Sequence, residues 1–237
     1  MIIRRRGTTA LLITQPDHAR LAATIMERWQ ESGLAASPRR SAILHAIGEH
    51  DNGWRDLDTT PIVDASSGEI LDFMNLPDDD RRGVWPRGVQ RLAETPYSAA
   101  LVAQHAIHIY RRYRGDTAWA PFFTEMERWR DRFLRLERGT TLDELMRDYM
   151  YLRIGDLASL TFCNGWNEPP DETSHEMRFS DEHLSISPDP FAGERLSIEI
   201  KARQLPGSRF SSASEAAAMF GAAPVVTMAG TVSGTPR

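Results

Sequence analysis

The sequence contains almost no lysine. Lysine and arginine together number 28, and Lys201 is the one lysine, which leaves 27 arginines. A Walker A loop requires Gly-Lys-Ser/Thr, and a Schiff-base enzyme requires a nucleophilic lysine. Because residues 1–200 contain no lysine, neither kind of site can be built there.

Cysteine and long apolar runs are equally scarce. Cys163 is the single cysteine, which excludes an intramolecular disulfide and a zinc site with several cysteines. No stretch approaches the ~18 apolar residues of a membrane span. The apolar run at residues 10–13 is too short for a signal peptide, which has ~7–15 apolar residues. We therefore expect a cytoplasmic protein with no membrane partner.

The remaining composition is typical of a globular protein of one domain. The 237 residues are 41% hydrophobic and 26% charged, with a formal net charge of −5. This balance argues against global disorder. It also argues against a nucleic-acid partner bound through bulk positive charge.

Apolar residues at the spacing of amphipathic helices run through much of the chain. The pattern predicts helices at about 16–33, 39–50, 97–113, 118–138 and 141–163. Thr141 and Glu144 have the spacing of an N-terminal capping box. Residues 55–96 differ, because they are rich in proline and glycine and show little periodicity. An irregular segment of this length is usually functional, so we expect a lid.

Short alternating segments near both chain ends predict β-strands. We therefore expect a mainly α protein in which the N- and C-terminal segments form a small β appendage. The predicted division is one domain, 1–237, with a helical core at 15–165 and a β-rich appendage at 1–14 and 180–237.

Five residues on four predicted helices are candidates for a metal site. His18 opens the first helix, His50 and Asp51 close the second, and His105 follows the lid. Asp156 lies in a largely apolar segment of the last long helix. A buried lone carboxylate is costly, so it needs a partner or a metal ion. Imidazoles and carboxylates from different helices commonly form a divalent-cation site.

Each of these residues also has an ordinary structural interpretation. A single histidine is usually a surface or hydrogen-bonded residue, and a His-Asp pair occurs by chance. Asp156 could instead cap a buried turn or pair with Arg153. The order and placement of the group favour a divalent ion, which could be Mn, Fe, Mg, Co or Zn.

The series His18, His50-Asp51 and Asp156 resembles the HD superfamily of metal-dependent phosphohydrolases. The resemblance implies an HD-domain-like helical bundle in which these four residues are the metal ligands. His105 would then bind a second metal ion or a substrate phosphate. More narrowly, residues 12–19, 49–54 and 96–102 resemble a bacterial family of unknown function numbered 3891, and this similarity runs over nearly the whole chain.

These residues favour a metal-dependent hydrolase of a phosphate ester or phosphorylated small molecule. Asp51 would bridge the metal ion and the attacking water, with Glu49 as a candidate general base. Arg55 or Arg153 would neutralise phosphate oxygens, and Trp54 with the lid would contact the substrate.

Two alternatives stay open. One is a di-iron oxygenase of HD type, which would need a sixth ligand. The other is a protein that binds a metal ion or ligand without catalysis. The expected partner is a phosphorylated small molecule, and a homo-oligomer is also compatible with the sequence.

Overall fold

The computed structural model describes residues 1–236, which form helices packed against a mixed β-sheet. The α-helices are α1 (Gln15–Glu27), α2 (Ser32–Ala35), α3 (Arg40–Glu49), α4 (Asp78–Arg91), α5 (Pro96–Ile109), α6 (Ala120–Leu136), α7 (Leu142–Asn164) and α8 (Ala213–Ala222). The strands are β1 (Ile2–Arg6), β2 (Thr9–Ile13), β3 (Glu176–Ser180), β4 (His183–Ser187), β5 (Arg195–Leu205) and β6 (Val225–Gly234). Short 3-10 turns cover Asn52–Arg55, Leu57–Thr59 and Arg111–Tyr113.

Local capping defines the N-termini of α1 and α7. Thr14 caps α1 by accepting a hydrogen bond from the Asp17 backbone N–H at 3.1 Å. The predicted capping box of α7 is confirmed, with Thr141 and Glu144 satisfying each other's backbone donors. Gly165 ends α7 with φ of 71°, a conformation that glycine adopts without strain.

The sheet has six strands in the order β1-β2-β5-β6-β4-β3. Neighbouring strands are antiparallel except for β4 and β6, which are parallel. Along β5, buried Leu196, Ile198 and Ile200 alternate with exposed residues. This alternation directs one face of the sheet toward the helices.

The expectation of a mainly α bundle with a small β appendage is wrong. The structure is 49% helical and 19% strand, and its curled six-stranded sheet is a principal layer. The inner-face residues Met177, Leu184 and Ile198 belong to the same hydrophobic core as Ile25 of α1 and Phe162 of α7. The sheet joins strands from 2–13 to strands from 176–234. Such long-range pairing leaves little trace in local sequence patterns.

The segment 55–96, predicted to be irregular, contains helix α4. Pro86 lies inside this helix, where it removes one backbone N–H and crowds the carbonyl of Arg82. The three aspartates of the first turn offset this effect by interacting with the positive end of the helix dipole. None of the helices in residues 1–236 has the length and apolar character needed to cross a membrane.

Close approach of three helices depends on Gly155 in α7. A Cβ built at this position would lie 2.8 Å from Met26 Cγ of α1 and 3.2 Å from Ile47 Cγ2 of α3. Gly155 therefore lets α7 pack directly against both helices, one residue before Asp156.

Gly155→Ala tests this close packing. We expect overpacking to outweigh the gain in helix propensity and to lower the free energy of unfolding by about 1–2 kcal/mol. Gly83→Ala in α4 is the matched control, because the nearest atom to its new Cβ is Arg87 Nη1 at 3.6 Å. The control should be neutral or stabilising by up to ~1 kcal/mol. Denaturant unfolding of both variants checks the difference, and an equal effect would contradict it.

Candidate metal centre

Four helices bring the five candidate residues to one buried place. His18 lies on α1 and His105 on α5, whereas Asp156 lies on α7. His50 directly follows α3, and Asp51 precedes the 3-10 turn. All five side chains are buried. The sequence-predicted set therefore comes together in space.

The side-chain atoms of this cluster form two groups that share His50. His18, His50 and Asp51 make up one group, and His50, His105 and Asp156 make up the other, with donor atoms within 4.8 Å of one another in each. The His18 Nε2–Asp51 Oδ2 distance is 2.7 Å, and the His50 Nε2–Asp156 Oδ1 distance is 3.3 Å. His105 Nε2 lies 3.6 Å from Asp156 Oδ2. Atoms bound to one ion at ~2.0–2.3 Å have separations of this size.

Hydrogen bonds at Nδ1 orient two of the imidazoles. His50 Nδ1 lies 2.7 Å from the Ile47 carbonyl oxygen, so this nitrogen donates a proton. His18 Nδ1 lies 2.9 Å from Ser159 Oγ, whose own proton goes to the Asp156 carbonyl oxygen. His18 Nδ1 is therefore also the donor. With Nδ1 bonded in this way, each ring directs Nε2 at the carboxylates, and Nε2 is the atom that would bind an ion.

The third imidazole has the same orientation. His105 Nδ1 lies 3.2 Å from the Tyr149 hydroxyl, and its Nε2 points to Asp156. All three rings thus hold Nδ1 against an outer partner and turn Nε2 inward. Metal-binding histidines in proteins have this arrangement.

The electrostatics of the cluster favour a cation. Burial alone lowers the pKa of His50, but the Asp51 and Asp156 carboxylates outweigh it and raise that pKa to about 9. Burial lowers the pKa of His105 to about 3. Burial alone would raise the pKa of Asp156, but the three imidazoles hold it below its ordinary value. The two carboxylates therefore stabilise positive charge at His50, and a divalent ion bound in the cluster would replace the His50 proton as that charge.

An unpartnered buried atom provides a direct test of whether a metal ion fits. His50 Nε2 is buried and has no hydrogen-bond partner in the described residues, although it belongs to both donor groups. A buried polar atom without a partner costs about 1–3 kcal/mol. A metal ion shared by the two groups would satisfy this nitrogen, so the residues present fit the ion.

A cavity of about 240 Å³ adjoins the cluster, with Asp51, His105 and Asp156 in its wall. Trp54 lies in the same wall, as do four residues from the segment predicted as a lid. These four are Phe73, Met74, Arg81 and Trp85. Three of the candidate metal ligands therefore border a cavity large enough for a small molecule.

Other sequence candidates lie outside this cavity wall. Glu49 pairs with Arg55 at 2.7 Å. Arg153 pairs with Asp171 at 3.0 Å, and His108 Nε2 lies 3.5 Å from the same carboxylate. The structure therefore does not bring Glu49, Arg55 or Arg153 to the cavity.

Sequence reasoning missed two contributors to the site, Ser159 and Arg81. Ser159 lies three residues after Asp156, and helical spacing places it on the same face of α7. Arg81 lies in α4, whose buried residues recur at helical intervals: Arg81, Val84, Trp85, Gly88 and Val89. This periodicity was the available signal, and Pro86 concealed it.

Comparison with known proteins identifies the family. The sequence model of a family described as "Protein of unknown function (DUF3891)" matches residues 1–207. Because this match covers most of the chain, the chain belongs to that family, and the expected resemblance to family 3891 is confirmed. No curated protein and no solved structure matches the chain.

His50→Gln tests the shared donor. We expect this variant to lose bound divalent metal, because both donor groups depend on His50 Nε2. His45→Gln is the matched control: His45 lies on α3, and its Nδ1 is 3.1 Å from Ser98 Oγ, away from the cluster. Elemental analysis and calorimetric titration with Mn²⁺ measure the outcome. Equal metal content in the two variants would remove His50 from the site.

Proposed function

We propose that this member of the DUF3891 family is a hydrolase that depends on one divalent metal ion. His18, His50, Asp51 and Asp156 would hold the ion, and His105 would complete the set. The observation that carries the proposal is the inward convergence of three Nε2 atoms on two buried carboxylates, beside a cavity.

A divalent ion bound there would supply a Lewis acid that activates water and neutralises charge developing on a substrate. The protein's own contribution begins with Asp51. Its Oδ2 lies between His18 and His50, at 2.7 Å and 3.6 Å from their Nε2 atoms. Because Asp51 also lies in the cavity wall, its Oδ1 can orient a water molecule toward a substrate.

The cavity supports an enzyme over a purely structural metal site. A structural ion needs closed coordination and no adjoining space. Here Trp54 and Trp85 place buried aromatic rings in the cavity wall. These rings exclude water from the reacting groups when a small substrate is bound. A phosphorylated small molecule is our hypothesis for this substrate.

A relationship to the HD superfamily is a further hypothesis, and it rests on the order of the donors along the chain. His, then His-Asp, then a distant Asp is the order that the superfamily uses. That order supports hydrolysis as the reaction class. The helices of this chain pack against a six-stranded sheet, so the hypothesis concerns the ligand set alone.

The di-iron alternative needs a sixth donor. Both groups of candidate ligands within residues 1–236 are drawn from the same five residues. His108, the nearest further histidine in sequence to His105, lies against Asp171. This donor count favours the hydrolase with one ion.

Asp51→Asn tests the proposed function. We expect metal-dependent hydrolysis to fall by roughly 10²–10⁴-fold, because the variant loses the charge that holds the ion and orients water. The readout is the hydrolysis of p-nitrophenyl phosphate and bis(p-nitrophenyl) phosphate by protein loaded with Mn²⁺, Fe²⁺ or Zn²⁺. Asp143→Asn is the control, since Asp143 is exposed in the first turn of α7.

A contrary result is equally specific. If metal-loaded wild-type protein hydrolyses neither ester and Asp51→Asn markedly lowers the thermal midpoint, the site is a structural metal site. Thermal unfolding of wild type and variant, each with its metal content measured, provides this comparison.

A further inference from the structure

Three residues in the wall of the cavity beside the candidate metal centre each have a buried polar atom without a hydrogen-bond partner within residues 1–236. Gln15 Oε1, Trp54 Nε1 and Arg81 Nε are buried and have no hydrogen-bond partner in the described residues. All three residues line the cavity, and each is at least nine-tenths buried. Each such atom costs about 1–3 kcal/mol unless a ligand or water satisfies it.

Arg81 is held in place by contacts that leave Nε free. Its Nη2 donates a hydrogen bond to Asp78. Its guanidinium carbon lies 5.9 Å from the ring centroids of Tyr110 and Trp119 and 5.8 Å from that of Tyr113. Aromatic faces stabilise a guanidinium without using its N–H donors. The side chain is therefore a preorganised cation with an unused donor.

The unpartnered atoms define the chemistry of a ligand. Arg81 Nε–H and Trp54 Nε1–H are donors, so they require an acceptor group. Beside a permanent positive charge, the best acceptor is an anion, because charge-assisted hydrogen bonds are the strongest. Gln15 Oε1 is an acceptor and requires a hydroxyl or N–H on the ligand.

The rest of the wall is apolar. Phe73, Trp85 and Leu160 present hydrophobic surface to the cavity. Such surface favours a ligand with a flat or apolar body. Met74, which is 45% exposed, also lines the cavity and marks its solvent side.

We propose that this cavity binds a small compound whose carboxylate or phosphate group is held by Arg81 and the Trp54 indole N–H, with its apolar part against Trp85 and Phe73. The compound is a substrate only if the proposed hydrolase function is correct. The binding site itself rests on the three unpartnered atoms.

Calorimetric titration with three probes tests the site. Phenyl phosphate and benzoate carry the two anionic groups on an aromatic ring, and benzyl alcohol is their neutral counterpart. We expect one or both anions to bind wild-type protein, and benzyl alcohol to bind at least tenfold more weakly. Equal affinity for benzyl alcohol and the anions would overturn the proposal.

Arg81→Gln should weaken binding of the anionic probe roughly 10- to 100-fold. Arg82→Gln is the matched control, because Arg82 also pairs with an aspartate three residues earlier and lies over Trp119, at 5.2 Å, but is not in the cavity wall. The control should keep the wild-type affinity. An affinity of Arg81→Gln within twofold of wild type would overturn the proposal.

Two further measurements keep the test decisive. Arg81→Lys retains the charge and the pair with Asp78, so it should fold even if Arg81→Gln does not, and it should bind the anionic probe more weakly than wild type.

Hydrolysis of phenyl phosphate separates this proposal from the proposed function. Arg81-dependent binding without any metal-dependent hydrolysis supports the site and counts against the hydrolase, whereas hydrolysis with an unchanged KM in Arg81→Gln counts against the site alone.

Discussion

Two carboxylates buried among three imidazoles are the constraint on which the rest of the structure depends. An isolated buried carboxylate is costly, and removing one member of a buried charged cluster costs about 3–5 kcal/mol because the others stay uncompensated. Asp156 has contacts with His18, His50 and His105, at 4.0 Å, 3.3 Å and 3.6 Å. No single helix could satisfy it. The cluster therefore requires α1, α5, α7 and the end of α3 to meet at one point.

The packing of the chain makes that meeting geometrically possible. Gly155 allows α7 to touch α1 and α3 directly before Asp156. The sheet supports α1 and α7 from another side. Ile198 of β5 and Met177 of β3 share one hydrophobic core with Ile25 of α1 and Phe162 of α7. The sheet is thus part of the framework that places His18 and Asp156, and it is not an appendage.

The sequence allowed prediction of the helices and of the donor residues, because both are encoded locally. Helical periodicity and the Thr141 capping box define α7, and an acidic residue in an apolar segment identifies Asp156. The sheet could not be predicted as one layer, since the pairing of β2 with β5 that joins its two parts connects residues about 190 positions apart, such as Leu12 and Arg203. Helix α4 was missed because Pro86 interrupts its pattern, and Arg81 was missed with it.

The choice of arginines shows why a site cannot be read from residue type alone. In a chain with 27 arginines, the suitability of arginine for phosphate oxygens pointed to Arg55 and Arg153, yet neither lies in the wall of the cavity beside the cluster. An arginine can bind a ligand here when it lies in the cavity wall and has an N–H donor that no protein group uses. Both conditions depend on packing. Arg81 has that property because Nη2 pairs with Asp78 and the guanidinium carbon lies over three aromatic rings, which stabilise its charge and leave Nε without a partner among the described residues. A ligand anion held there would lie in the same cavity as the Asp51 and Asp156 carboxylates, which could hold a metal ion. The two positive centres would then fix which end of a substrate faces the reacting water, and the apolar wall between them would select its body.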